Sequence, residues 1–166
     1  MKLRFALLSK EADRRSFSCG VPELDAYMHH QAGQDAARGF ASVVVATEEG
    51  SPAMIIGYYT LSAASIPLTL LPEDVRGKMP RYRNIPAVLL GRLAVAQTMH
   101  GRHTGSLLLF DALRRACANE LAWAVFLVDA QNDRAVAFYE KFCFARFCQN
   151  PNSLWLTRKQ AERLVQ

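Results

Sequence analysis

The sequence predicts a mixed α/β fold, a sheet of mixed strand direction with helices interspersed along the chain. Short apolar runs of strand length alternate with segments whose apolar residues recur at helical spacing. The chain has 166 residues, of which 51% are hydrophobic, which excludes a disordered chain and suffices for one sizeable core. No repeat or low-complexity linker divides it, so we expect one domain over residues 1–166.

The N-terminal half is predicted to contain three strands and one helix. Pro22 suits the first helical position, because its missing N–H is not needed there, and Gly39 is positioned to end the helix. Gly57 lies inside a predicted strand and indicates a bulge or a close approach of two backbones. The predicted elements are the strand 2–8, the helix 22–37 and the hairpin strands 40–47 and 53–65.

The C-terminal half alternates strands with helices. Asn132 or Asp133 is expected to cap one helix, and Thr157 with Gln160 resembles a capping box that begins another. The predicted elements are a helical turn after residue 72, the strands 85–96, 123–129, 143–148 and 153–156, and the helices 106–121, 134–141 and one that begins near residue 157.

The stretch 90–111 passes from a buried strand through a glycine-containing turn into a helix. Such a connection directs unpaired amides and the positive end of the helix dipole at one point, which suits a phosphate. An ordinary strand-to-helix turn has the same composition, so the residues alone leave both interpretations open.

Composition restricts the function classes. The net charge of +5 and a pI near 9.2 fit either a solvated surface or a polyanionic partner. The four cysteines form no CxxC pair and the histidines lack zinc-type spacing, so we expect reduced thiols and no metal. No apolar run is long enough for a membrane span and no signal peptide is recognisable, which predicts a cytoplasmic protein without membrane contact.

Tyr139 could carry chemistry. The spacing of Phe138 and Phe142 predicts that these rings face the core, which would leave Tyr139 exposed at the edge of the helix. Its phenol could protonate a leaving thiolate within hydrogen-bond reach, or it could be a half-buried tyrosine with a solvated hydroxyl.

Two further polar residues have alternative roles. Asn132 could serve only as a helix cap or could also reach a ligand between the strands that end at Val95 and Asp129. Arg92 lies inside an apolar strand, where an unpartnered cation is costly. It is expected to emerge into a cleft, to pair with a carboxylate, or simply to face outward.

With these residues identified, the sequence resembles the GNAT superfamily of N-acetyltransferases. In that family a turn of the form Gln/Arg-x-x-Gly-x-Gly/Ala binds the coenzyme A pyrophosphate through backbone amides. Here the turn begins at His100 and ends at Gly105, which matches the last glycine. His100 replaces the usual glutamine or arginine, and His103 replaces the middle glycine.

The resemblance extends to one branch, the acetyltransferase toxins of bacterial toxin–antitoxin pairs. It covers nearly the whole chain, and its segments occur in the same order as in that branch. These segments are 17–20, 24–27, 57–61, 85–95 and 137–140.

This resemblance implies a fold and an activity. The fold would be a sheet of six to seven strands, splayed between its central strands. Such toxins acetylate the α-amino group of aminoacyl-tRNA with acetyl-CoA, and Tyr139 matches the proposed general acid. The residues implied to bind the coenzyme are Leu93, Ala94, Val95, His100, Gly101, Arg102, His103, Thr104, Gly105, Ser106, Asn132, Ala135 and Phe138. Those implied to contact tRNA are Arg76, Lys78, Arg81, Arg83 and Arg92.

The resemblance also implies partners, namely aminoacyl-tRNA, a ribbon-helix-helix antitoxin and a second copy in a homodimer. Two alternatives stay open: an acetyltransferase for a small amine or a protein N-terminus, and a degenerate GNAT protein that binds without catalysis. His103 and Cys143 stand where the family has glycine. If position 103 requires a positive φ or a close phosphate approach, the histidine costs energy and weakens coenzyme binding. At Cys143, where the family often has a left-handed helix terminus, we expect local strain or an altered turn.

Overall fold

The computed structural model describes residues 1–166 and contains a seven-stranded sheet of order β1-β2-β3-β4-β5-β7-β6 with six α-helices. The elements are β1 (Leu3–Leu7), α1 (Pro22–Ala26), α2 (Ala32–Arg38), β2 (Ser42–Glu48), β3 (Ser51–Pro67), α3 (Glu73–Arg76), β4 (Asn84–Val95), α4 (Thr104–Ala118), β5 (Val125–Asp129), α5 (Asp133–Glu140), β6 (Ala145–Arg146), β7 (Ser153–Thr157) and α6 (Arg158–Leu164). Strands β4 and β5 are parallel, whereas the pairs β1–β2, β2–β3, β5–β7 and β6–β7 are antiparallel. The predicted mixed α/β fold is confirmed.

The chain forms two compact units. The first comprises residues 1–62 and 91–112, and the second comprises residues 63–90 and 113–166. None of the helices combines the length and apolar composition needed to cross a membrane.

In the first unit, the predicted close approach at Gly57 is confirmed. A Cβ at this position would lie 2.9 Å from the carbonyl oxygen of Ala94 and 2.8 Å from Cδ1 of Leu108. The β2–β3 register also shifts here, since Ala46 pairs with Gly57 but Thr47 pairs with Ile55. Glycine is therefore required both by the irregular pairing and by the neighbouring backbone of β4.

The predicted N-terminal helix is present but contains an unforeseen π-helical turn. Pro22 occupies the first turn of α1, and Gly39 ends α2 with a φ of +77°, as predicted. Between α1 and α2, the residues Tyr27–Gln31 form a π turn. Its buried residues Tyr27 and Met28 belong to the core of this unit. Single π turns inside α-helices are frequent at functional positions.

In the second unit, β4 and β5 are registered from Ala87 with Val125 to Leu90 with Val128. The apolar side chains of these strands and of β7 form a core with residues from the end of β3, from the segment after it and from the turn after β6. This core is made by Ile66, Leu71, Ile85, Ala87, Val125, Leu127, Phe147 and Trp155. The capping box of Thr157 and Gln160 begins α6 as predicted.

The predicted limits of three elements, α4, β5 and β6, differ from those in the structure. Helix α4 begins two residues earlier than predicted and ends at residue 118, and β5 begins at Val125. The buried indole of Trp123 instead donates a 2.8 Å hydrogen bond to the carbonyl of Ala116 in the last turn of α4. Strand β6 has only two residues, because the amides of Cys143 and Phe144 bond back to α5 in a left-handed turn.

Candidate active site

The loop that precedes α4 presents unpaired backbone amides. Gly101 and His103 have φ values of +75° and +60°, so the chain turns sharply twice before the helix begins. The first amide of this segment with an acceptor is that of Leu107, which donates to the carbonyl of His103 at 3.2 Å. The amides of residues 101–106 donate no hydrogen bond within the protein. Six free donors at the positive end of a fifteen-residue helix can bind an anion such as a pyrophosphate.

Two side chains fix this loop to the end of β4. Nε2 of His100 lies 2.8 Å from the carbonyl oxygen of Val95, so the ring donates a hydrogen bond to the end of β4. The hydroxyl of Thr104, which is buried, donates to the carbonyl of Met99 at 3.5 Å. The histidine that replaces the family's glutamine or arginine therefore acts here as a support for the loop.

The residues of β4 proposed to hold the coenzyme lie beside β3. Ala94 is buried with its carbonyl against Gly57, and the amide of Ala96 donates to the carbonyl of Ile56 at 2.8 Å. Leu93 and Val95 are half-buried. The predicted coenzyme residues 93–95 and 100–106 thus come together within the first unit.

Arg92 is held by an aromatic ring. Its guanidinium carbon lies 3.6 Å from the centroid of the Tyr27 ring, on the π-helical turn, and the side chain makes no salt bridge. Arg92 is half-buried. Of the alternatives raised by the sequence, neither a carboxylate pair nor a plain outward-facing side chain describes it. The ring positions the charge without neutralising it.

Tyr27 is itself anchored by a carboxylate. Its hydroxyl donates to Oδ2 of Asp35 at 2.9 Å. Burial, the hydrogen bond to Asp35 and the charge of that carboxylate together raise the pKa of Tyr27 to about 12. The pKa of Asp35 is lowered, first by its hydrogen bond from Gln31 and also by Tyr27 and the charge of Arg92. The result is a fixed arrangement of carboxylate, phenol and guanidinium, in which the phenol stays protonated.

Tyr139 is buried, which corrects the prediction that it lies exposed at the helix edge. It is 4% exposed, and the buried face of α5 is formed by Val136 and Tyr139, whereas Phe138 and Phe142 are only half-buried. The two phenylalanines instead stack on each other edge to face, with centroids 5.3 Å apart. The short helix α5 has two apolar faces, one with Phe138 and one with Val136 and Tyr139. Contact of Tyr139 with Phe144 favours burial of the second face.

The Tyr139 hydroxyl has the properties of a proton donor. Burial raises its pKa above the ordinary value, and the negative charge of Asp129 raises it further. The phenol is therefore neutral at physiological pH. Its hydroxyl makes no hydrogen bond within the chain, so its proton is not committed to another acceptor.

Asn132 caps α5, which confirms one of its two predicted roles. Its Oδ1 accepts a 2.9 Å hydrogen bond from the amide of Ala135. The amide of Ala135 therefore already has an acceptor within the chain. Asn132 remains exposed, and its side-chain amide is free to donate.

The predicted basic residues of the segment between β3 and β4 separate into two sets. Arg81 and Arg83 are exposed and line one open groove of about 680 Å³. Arg76, half-buried at the end of α3, and the exposed Lys78 do not line it. Sequence reasoning missed Tyr82, which lies between the two arginines and is 66% exposed. An aromatic residue flanked by cations was the available signal.

The remaining candidate chemistry is limited. All four cysteines are free, and burial raises the pKa of Cys19 to about 11, so this thiol is protonated. No group of three or more His, Cys, Asp or Glu side chains is arranged to hold a metal ion.

Comparison with known proteins identifies the family of the chain. A model of the acetyltransferase (GNAT) family matches residues 9–144. The chain is 35% identical over 160 residues to a tRNA-acetylating toxin of Mycobacterium tuberculosis (strain ATCC 25618 / H37Rv), which covers 95% of this chain and 93% of that protein.

Solved structures give the same result. The structure of AtaT complexed with acetyl-methionyl-tRNAfMet matches with a TM-score of 0.90 at 26% identity, over 99% of this chain and 100% of the other. The structure of AtaTR bound with AcCoA matches with a TM-score of 0.87 at 25% identity, over 99% and 98%. From the match to the family model and the similarity along nearly its whole length, the chain belongs to the acetyltransferase (GNAT) family.

Proposed function

We propose that this protein transfers the acetyl group of acetyl-CoA to the α-amino group of aminoacyl-tRNA, and so acts as a toxin that blocks translation. The observation that carries the proposal is its 35% identity, along 95% of the chain, to a tRNA-acetylating toxin. The solved structure that is similar over nearly the whole chain contains an acetylated aminoacyl-tRNA, which supports the same substrate class.

The first step is binding of the cosubstrate acetyl-CoA. The amides of residues 101–106 receive its pyrophosphate, with His100 and Thr104 supporting the loop. Arg102 is exposed in the same loop and adds positive charge. The backbone of Leu93 to Val95 holds the pantetheine arm in the manner of an added strand. Asn132, Ala135 and Phe138 complete the binding residues.

The second step is acyl transfer. The neutral α-amine forms a C–N bond to the thioester carbonyl while the C–S bond breaks. The amine proton leaves to solvent, and Tyr139 donates its phenolic proton to the departing thiolate and then regains a proton from solvent. The uncommitted hydroxyl and raised pKa of Tyr139 support this role, because the donor must be protonated before the thiolate forms. Arg92, held over Tyr27, offers a positive charge to the phosphates of the tRNA.

The proposal includes partners and location. A ribbon-helix-helix antitoxin neutralises the enzyme, two copies form a homodimer, and the protein acts in the cytoplasm. The similarity to AtaTR, which was solved bound with AcCoA, supports acetyl-CoA as the acetyl donor.

The direct test is incubation of the purified protein with labelled acetyl-CoA and a pool of charged tRNAs. Label is expected in an aminoacyl group that is released from the tRNA by mild alkali. Deacylated tRNA is the control and should stay unlabelled. Label that appears only on small amines or protein N-termini would contradict the proposal.

A second candidate is a protein that binds partners without catalysis. It is favoured by the left-handed conformations of His103 and Cys143, with φ of +60° and +68°, where the family has glycine. It predicts coenzyme or antitoxin binding without turnover on any amine, in the same assay.

A further inference from the structure

The segment between β3 and β4 forms an open groove that the reaction chemistry does not use. It is lined by Pro67, Leu68, Thr69, Arg81, Tyr82, Arg83 and Asn84, and has a volume of about 680 Å³. The strand residues next to both ends of this segment are held in place, because Ile66 and Ile85 are buried in the core of the second unit.

The two walls of the groove are tied together by the backbone. The amide of Leu68 donates to the carbonyl of Arg83 at 3.0 Å, which joins the end of β3 to the residue before β4. The amide of Tyr82 bonds to the carbonyl of Pro80 at 2.9 Å. Tyr82 and its neighbours are thus presented from a fixed backbone, so a ligand pays little ordering entropy on binding.

The charge of the groove selects an anion. Arg81 and Arg83 are exposed and neither makes a salt bridge, while no acidic residue lines the groove. The acidic residues of α3, Glu73 and Asp74, lie outside it. Two guanidinium groups without a carboxylate partner, beside an exposed aromatic ring, are side chains of the kinds that contact the phosphates and bases of a nucleic-acid strand.

Tyr82 supplies the aromatic ring. It is 66% exposed and makes no ring contact or cation–π contact within the protein. Phe40 is a useful contrast, since it is equally exposed at 65% but Arg38 covers its ring at 5.3 Å. A ring with a free face, between cations, is the arrangement on which proteins stack an unpaired base.

We propose that this groove binds the unpaired acceptor end of the tRNA, with one base stacked on Tyr82 and the adjoining phosphates on Arg81 and Arg83. This inference deepens the proposed function and rests on it for the identity of the RNA. The groove then distinguishes an RNA with a single-stranded end from one that is fully paired, since a paired base has no free face to stack.

The test measures binding of the full chain to an uncharged acceptor-stem RNA hairpin by fluorescence anisotropy. One hairpin carries the unpaired 3′ segment and the other lacks it. For the first RNA, Tyr82→Ala is expected to weaken binding about tenfold, whereas Tyr82→Phe, which keeps the ring, stays within about twofold of wild type. For the shortened RNA, wild type and Tyr82→Ala should bind equally. Phe40→Ala is the matched control and should bind both RNAs like the wild type.

The arginines are tested by salt dependence. Arg81→Gln and Arg83→Gln should each make the slope of log K against log salt less negative by about 0.7, the value for one phosphate contact to a single strand. Because Tyr82 is exposed, its variants should keep the wild-type melting temperature.

Three results would overturn the inference: unchanged binding in Tyr82→Ala, an equal loss with both hairpins, or a loss in Tyr82→Phe as large as in Tyr82→Ala. Binding and catalysis are measured separately, so the two proposals fail in different ways. Failure of acetylation with Tyr82-dependent hairpin binding intact would contradict the enzymatic function alone, and acetylation with Tyr82-independent binding would contradict this inference alone.

Discussion

Replacing His103 by glycine tests how the loop before α4 binds the coenzyme. His103 has a φ of +60°, a conformation that costs an L-residue about 1–2 kcal/mol. Glycine has no such cost but loses about 0.5–1 kcal/mol more backbone entropy on folding. The free energy of unfolding should therefore rise by about 0.5–1 kcal/mol. For a chain of 166 residues this corresponds to a Tm increase of about 1–4 °C.

The same substitution, His103→Gly, should also make the protein bind acetyl-CoA more tightly. Without a Cβ at position 103, the pyrophosphate can approach the free amides of residues 101–106 more closely. We expect the Kd for acetyl-CoA, measured by titration calorimetry, to fall about two- to fivefold, which is about 0.5–1 kcal/mol.

The control for this substitution is Thr98→Gly. Thr98 is exposed in the turn before the loop and its φ is not positive, so glycine there should lower Tm and leave affinity unchanged. An unchanged or higher Kd in His103→Gly, with Tm raised as expected, would refute the idea that this histidine weakens coenzyme binding.

Three further substitutions give distinct results. Tyr139→Phe should lower kcat at least about 100-fold, because it removes a proton donor. Acetyl-CoA affinity and Tm should stay nearly unchanged, since the hydroxyl has no partner in the chain. Full activity or continued growth arrest would exclude the acid role. Cys143→Gly, at a φ of +68°, should stabilise the protein by about 0.5–1 kcal/mol in denaturant titration. Cys148→Gly, at a residue that is also exposed but has no positive φ, should destabilise it. Asn132→Ala should cost about 1 kcal/mol through loss of the cap on Ala135, and Asn132→Asp should retain stability; equal losses in the two would exclude capping as the cause.

Much of the fold follows from local patterns. Pro22 and Gly39 delimit the N-terminal helical segment, Gly57 marks a close backbone approach, and Thr157 begins the last helix, all as the sequence predicted. The proline, the helix-ending glycine and the capping box depend on backbone conformation and on neighbours within a few residues, whereas Gly57 answers to the distant Ala94 and Leu108. The physical cause of those three helix limits is therefore contained in the local sequence.

The candidate site was predictable in part. The family pattern raised a positive φ as a condition at His103 and strain or an altered turn at Cys143, and both residues have left-handed φ values in the structure. The burial of Tyr139 was not predictable. A helix with apolar residues on two faces has no local reason to choose between them, and contact with Phe144, beyond the end of the helix, decides which face is buried.

What the sequence by itself determined is the order and type of the elements, the helix limits set by proline, glycine and capping residues, and the segment that supplies free amides. Only the tertiary structure decided that the Tyr27 ring holds Arg92, that the Tyr139 hydroxyl is uncommitted, and that Tyr82 lies with Arg81 and Arg83 in one groove. The physical reason is the separation along the chain of the residues that interact. Backbone preference and helix capping act over a few residues, whereas burial and ring contacts depend on segments that are far apart in the chain.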